Sequence, residues 1–500
     1  LASTPAHTPL AKKVNRPNYC NGYIQKPQAT SYTVYTLPKS GRSMQRAFAS
    51  PSQTGITPLA SRQPLQPAAW DKLAKEAGLI PADRSLRKFQ VESANYVISR
   101  RWDVCIIAPT GQGKSLVWVL PLLVQRKGVS LVVVPYTSLG HQGALRRLGD
   151  IHGVKSHFLH AKNKDPALLE QIATEGGMQI IYLCAEMLEA PTMARVLHAE
   201  SFKLNLSVIY IDEAHTAYES RTWRPAYTNL HKLRRISGLQ DVPMIVLSAT
   251  LPQIYRHSLS LLVGLKQTHQ LIHRGNLRHE LSVIVKHMQH NVSSFKDLMF
   301  LFQGDFDPRA PASMPATIIY TDNIPRLTEM FYWCRAQLRQ LNLPESWCDL
   351  IHANLSPLHQ AHSTEKFKNG QTRLWLGTEK IGAGIDFPHV KLVVQYCCRD
   401  LTLVQWEQRR GRCGRDGSQG LGILLIEKSM ADGQLTSTSL HYEDPALLEY
   451  TRTQTCYEVA SNKLLDNPLV VPPCGTHCSN CSPALLSRAA AYHWIQVMPR

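Results

Sequence analysis

The stretch Ala108-Pro109-Thr110-Gly111-Gln112-Gly113-Lys114-Ser115 constrains this chain more than any other feature. It follows the apolar run Val104–Ala108 and leads into residues that read as a helix from Leu116 to about Val124. Gly111 and Gly113 let a strand-to-helix turn fold tightly enough for its N–H groups to converge on phosphate oxygens. The helix N-terminus adds a positive dipole. From such a loop Lys114 reaches β- and γ-phosphates, and Ser115 is placed to ligate Mg2+. Alanine stands where the full G-x-x-x-x-G-K-[ST] pattern has its first glycine. A Gly-rich turn without a ligand is the competing reading.

Around this loop, short apolar runs alternate with helix-like segments. Val104–Ala108, Ser130–Val134, Gln179–Leu183, Val208–Ile211 and Pro243–Leu247 read as buried strands. A second series comprises Thr317–Tyr320, Leu374–Leu376, Leu392–Gln395 and Gly422–Ile426. Alternating β and α predicts parallel sheets covered on both faces, hence an α/β fold. The basic stretch around 255–312 shows no strand pattern, so two α/β domains in tandem are expected. Val208–Ile211 ends in Asp212-Glu213-Ala214-His215. Acids at the carboxyl end of a parallel strand lie where such sheets bind ligands. Asp212 is then the carboxylate that holds Mg2+ through water, and Glu213 orients or deprotonates the attacking water. Alone, a strand-end acid pair is usually a solvated turn. The phosphate loop upstream converts it into half of a nucleotide site.

These motifs resemble those of superfamily 2 helicases of the RecQ type. Asp212-Glu213-Ala214-His215 and Leu247-Ser248-Ala249-Thr250 are similar to that superfamily's motifs II and III. Arg87-x-x-Gln90 resembles the adenine-reading motif of the RecQ branch, and Val133–Leu139 its motif Ia. Trp223-Arg224-Pro225-Ala226-Tyr227 resembles the end of its aromatic-rich loop, with Glu219-Ser220-Arg221-Thr222 where W-G-H is usual. Arg274-Gly275-Asn276-Leu277-Arg278 resembles the inter-domain R-P-N-[IL]-R, and Ile318–Tyr320 resembles motif IV. Gly377–Asp386 resembles motif V, and Gln408-Arg409-Arg410-Gly411-Arg412-Cys413-Gly414-Arg415 matches Q-x-x-G-R-x-G-R of motif VI. Arg412 and Arg415, three apart, share a helix face and can aim at one γ-phosphate. The structural alternative for this run is a solvated helix face.

The resemblance implies two RecA-like domains and an ATP site. Arg87, Gln90, Thr110, Gly111, Gly113, Lys114, Ser115, Asp212, Gly384 and Asp386 would bind nucleotide and Mg2+. Lys114, Asp212, Glu213, Gln408, Arg412 and Arg415 would carry catalysis. Thr137, Ser138, Trp223, Arg224 and Thr378 would touch nucleic acid. For Trp223, base stacking and plain burial are equally open.

Twelve cysteines divide unevenly. Eight are scattered singly or adjacent, while Cys456, Cys474, Cys478 and Cys481 fall in the last tenth of the chain. That distribution suits a reducing compartment with one metal site rather than a disulfide framework. Four thiolates with short spacings suit tetrahedral Zn2+ in a closed, structural site. Thr453–Cys456 with Cys474–Cys481 resembles the RecQ zinc-binding domain, whose last three cysteines are normally two residues apart. Here the first gap is three, which leaves His477 as an alternative ligand to Cys478. Buried free thiols are the other reading.

Charge completes the organisation. Lys and Arg total 55 against 37 Asp and Glu, a net of +18, which suits a polyanionic partner. Residues 1–70 hold eight of these cations, nine prolines and no acid, and read as a disordered basic arm. It serves as either a solvated linker or a nucleic-acid arm. Expected boundaries are therefore an arm at 1–70, RecA-like domains at 71–270 and 271–430, a zinc-binding domain at 431–484 and a tail at 485–500. No apolar run reaches the roughly 18 residues of a membrane span, so a nucleic-acid partner is favoured over a membrane. Oligomeric state is not legible. The start at Leu1 without a leader reads as a fragment or processed product. About twenty residues follow Cys481, too few for the winged-helix domain that often follows in the family. The resemblance implies an ATP-dependent 3′–5′ DNA helicase acting in the nucleus in DNA repair or recombination, with no basic run that reads as a nuclear signal. The alternatives are a nucleic-acid-binding module or DNA-stimulated ATPase without unwinding, and an RNA helicase.

Overall fold

Short runs of Val, Ile and Leu that are apolar at consecutive positions are satisfied best as strands covered on both faces. The computed structural model places them so. It describes residues 59–136, 140, 153–160, 165–175, 177–222, 224–382, 387, 389–431 and 444–486. The first sheet contains β1 (Val104–Ile107), β2 (Val129–Val134), β3 (Lys155–Leu159), β4 (Gln179–Cys184), β5 (Leu206–Ile211), β6 (Met244–Ser248) and β7 (Gln270–His273). Its order is β3-β4-β2-β5-β6-β1-β7, and every pairing is parallel. Alternate residues of β1 feed opposite cores, Val104 and Ile106 on one face and Cys105 and Ile107 on the other.

The second sheet contains β8 (Leu281–His287), β9 (Thr317–Tyr320), β10 (Cys348–Ile351), β11 (Leu374–Gly377), β12 (Leu392–Tyr396) and β13 (Gly420–Ile426). It runs β10-β11-β9-β12-β13-β8, again wholly parallel. Ile319 faces a core with Leu327 and Met330, while Ile318 faces another with Phe367 and Trp375.

All nine strands expected from the sequence are present. The four that were not expected, β3, β7, β8 and β10, are the four sheet edges. Each leaves residues partly open: Lys155 is exposed in β3, Leu271 in β7, Lys286 and His287 in β8, and Asp349 is half-buried in β10. A strand covered on fewer sides carries fewer obligatory apolar residues, so the run breaks up. The stretch 255–312 is therefore not strand-poor. It holds β7, which closes the first sheet against β1, and β8, which opens the second against β13. The linker is 274–280, so the first sheet extends three residues past the expected boundary at 270.

Before the first sheet, helix α1 (Pro67–Glu76) starts inside the expected arm. Trp70 is fully buried and donates Nε1–H to Asn95 Oδ1 (2.9 Å) on α2 (Lys88–Ser99). The end of the arm is thus pinned by apolar burial, while residues 1–58 lie outside the described residues.

The helix expected over 116–124 is split into a 3-10 turn, Lys114–Trp118, and a short α3, Leu120–Val124. Pro121 has no N–H to continue the i to i−4 ladder. The carbonyls left over find side chains: Val117 O accepts from Tyr210 Oη (2.5 Å) and Trp118 O from Ser130 Oγ (2.8 Å).

Further along, α4 (His215–Glu219) follows β5 and α5 (Gln253–Val263) follows β6. The helix α6 (Leu403–Arg410) lies between β12 and β13. Last come α7 (Pro445–Arg452) and α8 (Tyr457–Leu464) and the segment from Cys474 to Cys481. That segment joins the second sheet's edge: Val283 N donates to His477 O (2.8 Å) and Ser479 N to Val283 O (3.0 Å). Leu485, expected in the tail, is buried in the second domain's core. No helix among the described residues is long and apolar enough to cross a membrane.

Candidate active site and metal centre

The order β5-β6-β1 sets three loops side by side at the carboxyl ends of adjacent strands. The loop after β1 is the glycine-rich one. Gly111 and Gly113 have φ of +80° and +72°, in the left-handed region that side chains avoid. A Cβ on Gly113 would also fall 3.0 Å from Gln90 Nε2. Gln90 is buried and bonded at both ends of its amide: it donates to Gly113 O (2.8 Å) and accepts from Arg87 N (2.8 Å). It therefore fastens the start of α2 to the phosphate loop. The Arg87 side chain is exposed. Lys114 Nζ turns back to donate to Ala108 O (2.9 Å). Burial lowers its pKa, aided by Arg415 and Arg412 and opposed by Glu213 and Asp212. Those four groups thus share its electrostatic surroundings.

After β5, Asp212 is buried and accepts from Glu213 N at Oδ1 (3.0 Å). That bond helps hold Glu213 at φ +47°. Burial alone would raise the Glu213 carboxyl. His215, Lys114, Arg412 and Arg415 together hold it below its ordinary value. Glu213 Oε2 lies 3.4 Å from His215 Nδ1, which is 3.0 Å from Ser248 Oγ. Ser248 Oγ donates to Thr250 O (2.7 Å), and Thr250 Oγ1 accepts from Gln408 Nε2 (2.6 Å). A line of polar groups therefore runs from His215, close to Glu213, through Ser248 and Thr250 to α6 of the second domain.

Four arginines on and after α6 point to three destinations. Thr402 caps the helix, its Oγ1 accepting from Gln405 N (3.0 Å). Arg409 is buried, pairs with Asp322 (2.6 and 2.8 Å) and Glu379 (2.8 Å), donates to Gln395 Oε1 (2.6 Å) and lies over Tyr320. It ties the ends of β9, β11 and β12 together. Arg410 faces the opposite way, toward α8, where it meets Glu458, and it also pairs with Glu407 of its own helix. Arg412 and Arg415 lie in the turn beyond the helix rather than on one helix face as expected, and their charges act on Lys114 and Glu213. Arg412 is 9% exposed, and Arg415 Nε donates to Gly411 O (3.3 Å). The Thr110 hydroxyl approaches Gly411 closely, 3.6 Å from where a Cβ would stand.

Sequence reasoning missed the roles of Thr250, Arg278, Glu219 and Glu379. Arg278, in the linker, donates to Gly411 O (3.1 Å) and Gly414 O (2.7 Å), holding both flanks of Arg412. Glu219 Oε1 accepts from Thr402 Oγ1 across the domain boundary (2.8 Å). Arg278 and Thr250 lie in motifs legible in the sequence, whereas Glu219 and Glu379 carry no local signal of what they face. Of the residues expected at nucleic acid, Thr378 is half-buried just beyond β11. Arg224 is occupied internally, paired with Glu186 (2.6 and 3.0 Å) and donating to Pro135 O (2.5 Å). Ser115 is half-buried at the start of its turn. Thr137, Ser138, Trp223, Gly384 and Asp386 lie outside the described residues.

The four late cysteines converge. Their Sγ atoms all lie within 4.8 Å of one another, with Cys456 and Cys478 3.9 Å apart. Tetrahedral Zn–S bonds of about 2.3 Å require sulfurs about 3.8 Å apart, so the set fits zinc. Cys474 N and Cys481 N donate to Cys456 Sγ (3.3 Å) and Cys478 Sγ (3.4 Å), an arrangement that favours thiolates. His477 is turned away, with Nδ1 3.3 Å from Ser282 Oγ, which leaves Cys478 as the fourth donor.

Residues 87–257 match the DEAD/DEAH box helicase domain and residues 312–417 the helicase conserved C-terminal domain, together more than half of the chain. The chain is 25% identical over 384 residues to the ATP-dependent DNA helicase Q-like 5 of Arabidopsis thaliana, covering 75% of this chain and 39% of that protein. It is 24% identical over 389 residues to the ATP-dependent DNA helicase RecQ of Bacillus subtilis, covering 74% and 61%. It therefore spans less than two thirds of either relative. The DUF1998 helicase MrfA bound to DNA has a similar fold, with a TM-score of 0.59 at 17% identity over 76% of this chain and 54% of that one.

Proposed function

We propose that this chain, a superfamily 2 helicase with RecQ-type relatives, uses ATP to translocate 3′ to 5′ on single-stranded DNA and to unwind duplex. One observation carries the reading. The Gln408–Thr250 bond joins the two domains, as Thr402–Glu219 also does, with the charges of Arg412 and Arg415 acting on Lys114 and Glu213.

Phosphate oxygens would replace Ala108 O as the acceptor for Lys114, and the loop's N–H groups would surround them. Ser115 and Asp212 supply the oxygens for Mg2+, which when bound neutralises phosphate charge. Glu213, kept ionised by its cationic neighbours, accepts a proton from the attacking water. Arg412 and Arg415 approach the γ-phosphate from the opposite domain, a contribution typically worth about 10³–10⁵ in rate. Once phosphate leaves, Lys114 and the two arginines repel one another across the cleft, which favours reopening. Thr137, Ser138, Trp223 and Thr378 are assigned to the strand. Arg224 acts through Pro135, holding the start of the segment that contains Thr137. Zinc is assigned a structural role. The RecQ likeness extends the reading to DNA repair and recombination in the nucleus.

The test is ATP hydrolysis with and without single-stranded DNA, followed by displacement of 3′-tailed and 5′-tailed DNA duplexes and an RNA duplex. Glu213→Gln should bind ATP without turnover. DNA-stimulated hydrolysis without displacement would establish the second reading, an ATPase module that binds nucleic acid. The internal pairing of Arg224 favours that alternative. Preferential displacement of RNA would overturn the DNA assignment.

A further inference from the structure

We propose that the four-cysteine module is a bracket that sets the reach of Arg412 and Arg415, with Glu458 as its positioning residue. The proposal rests on the helicase reading above.

Arg410 is 3% exposed and lies two residues before Arg412. Glu407 Oε2 accepts from its Nε (3.2 Å) and Nη2 (2.8 Å), and the Glu458 carboxylate accepts from Nη1 and from Nη2 (3.3 Å). The outer oxygen of Glu407 accepts from Ser461 Oγ (2.9 Å). Glu458 and Ser461 stand three apart on one face of α8, and the N-cap of α8 is Cys456, the first metal donor. A short path, covalent from Cys456 to Glu458 and an ion pair from there on, thus leads from the cysteine cluster to the guanidinium of Arg410, two residues before Arg412.

The slot for Arg410 is built on its other side as well. A Cβ on Gly422 of β13 would fall 2.7 Å from Arg410 Cγ and 3.0 Å from Cδ. The linker supplies another hold: Arg278 grips the carbonyls of Gly411 and Gly414, and Asn276 is hydrogen-bonded to Asn467, just after α8. Arg412 and Arg415 are therefore suspended between α8 and the linker, both braced by the module.

Stability alone does not account for this choice. Buried ion networks often contribute no more than well-packed apolar side chains would. A planar guanidinium held by two carboxylates, however, fixes direction and rotation together. Displacement of a reacting group by about 1 Å can cost roughly a hundredfold in rate.

The experiment uses the full chain with Glu458→Gln. Expected is a fall in kcat for DNA-stimulated ATP hydrolysis of about ten- to a hundredfold, an ATP KM within about twofold, and retention of one zinc per chain by a colorimetric chelator. Glu449→Gln, which removes an exposed pair between α7 and Lys463 of α8 (3.7 Å), should keep full kcat. Ser461→Ala removes one hydrogen bond rather than a charge and should show a smaller loss of the same kind, even if Glu458→Gln folds poorly. Activity that falls only in proportion to lost zinc or lost folded protein in both variants overturns the bracket. An active wild type whose two variants keep full kcat also overturns it, leaving the helicase reading intact. A wild type that does not hydrolyse ATP overturns both.

Discussion

Replacing Gln408 by alanine tests the closed arrangement most directly. Its bond to Thr250 is short, at 2.6 Å, and both residues are nearly inaccessible, at 6% and 3% exposed. A neutral hydrogen bond contributes about 0.5–1.5 kcal/mol net, and a stranded buried hydroxyl costs about 1–3 kcal/mol. A loss of about 1–2 kcal/mol in the closed state is expected. At about 1.4 kcal/mol per tenfold, that lowers the closed-to-open ratio about five- to thirtyfold, and kcat for DNA-stimulated ATP hydrolysis should fall by up to that factor. Each sheet keeps its own strands and the apolar cluster that runs between the domains is untouched, so Tm should move by less than about 3 °C. Thr250→Val, which keeps the shape but not the hydroxyl, should act alike. In the double variant the two losses should not add, leaving a coupling energy of about 1 kcal/mol. Additive losses, or unchanged kcat in both single variants, would refute the closed contact as a determinant of turnover.

Tyr210→Phe removes the donor to Val117 O beneath the phosphate loop and should lower stability by about 1–3 kcal/mol, read as a lowered Tm. Burial raises the pKa of Glu219, an effect opposed by His215 and by the Thr402 and Tyr255 hydroxyls. A carboxyl whose folded pKa is raised costs stability above that pKa and nothing below its unfolded value of about 4.3. Glu219→Gln should therefore raise Tm at pH 8 and leave it unchanged at pH 4, and equal shifts at both would show that charge is not the cause. Cys478→Ser should abolish stoichiometric zinc while His477→Ala retains it. The reverse result would reinstate His477 as the ligand.

The interior of both sheets was legible because a strand covered on two faces has to be apolar at consecutive positions. β1, β2, β4, β5 and β6 are buried at every residue. The edges were not legible, since β3 and β7 need only part of their surface apolar. The split helix after the phosphate loop was announced by Pro121. Its repair by Tyr210 and Ser130 was not, because those partners come from strands distant in sequence.

The chemistry follows the same division. Lys114, Asp212, Glu213, Arg412 and Arg415 stand in local patterns whose spacing already suggests the kind of ligand they suit, and the number and spacing of the cysteines suit zinc. Destinations are another matter. Arg409, Arg410, Arg412 and Arg415 look alike in one run of basic residues, yet one joins three strand ends, one pairs with α8 and two act by their charge on Lys114. A helix and its following turn aim successive residues in different directions. The direction of each side chain is local, but what waits there is set by the packing of segments far apart in the chain. The sequence alone determined which groups the protein carries. Tertiary structure decided which arginine braces the strand ends or α8 and which ones bring their charge to Lys114 and Glu213.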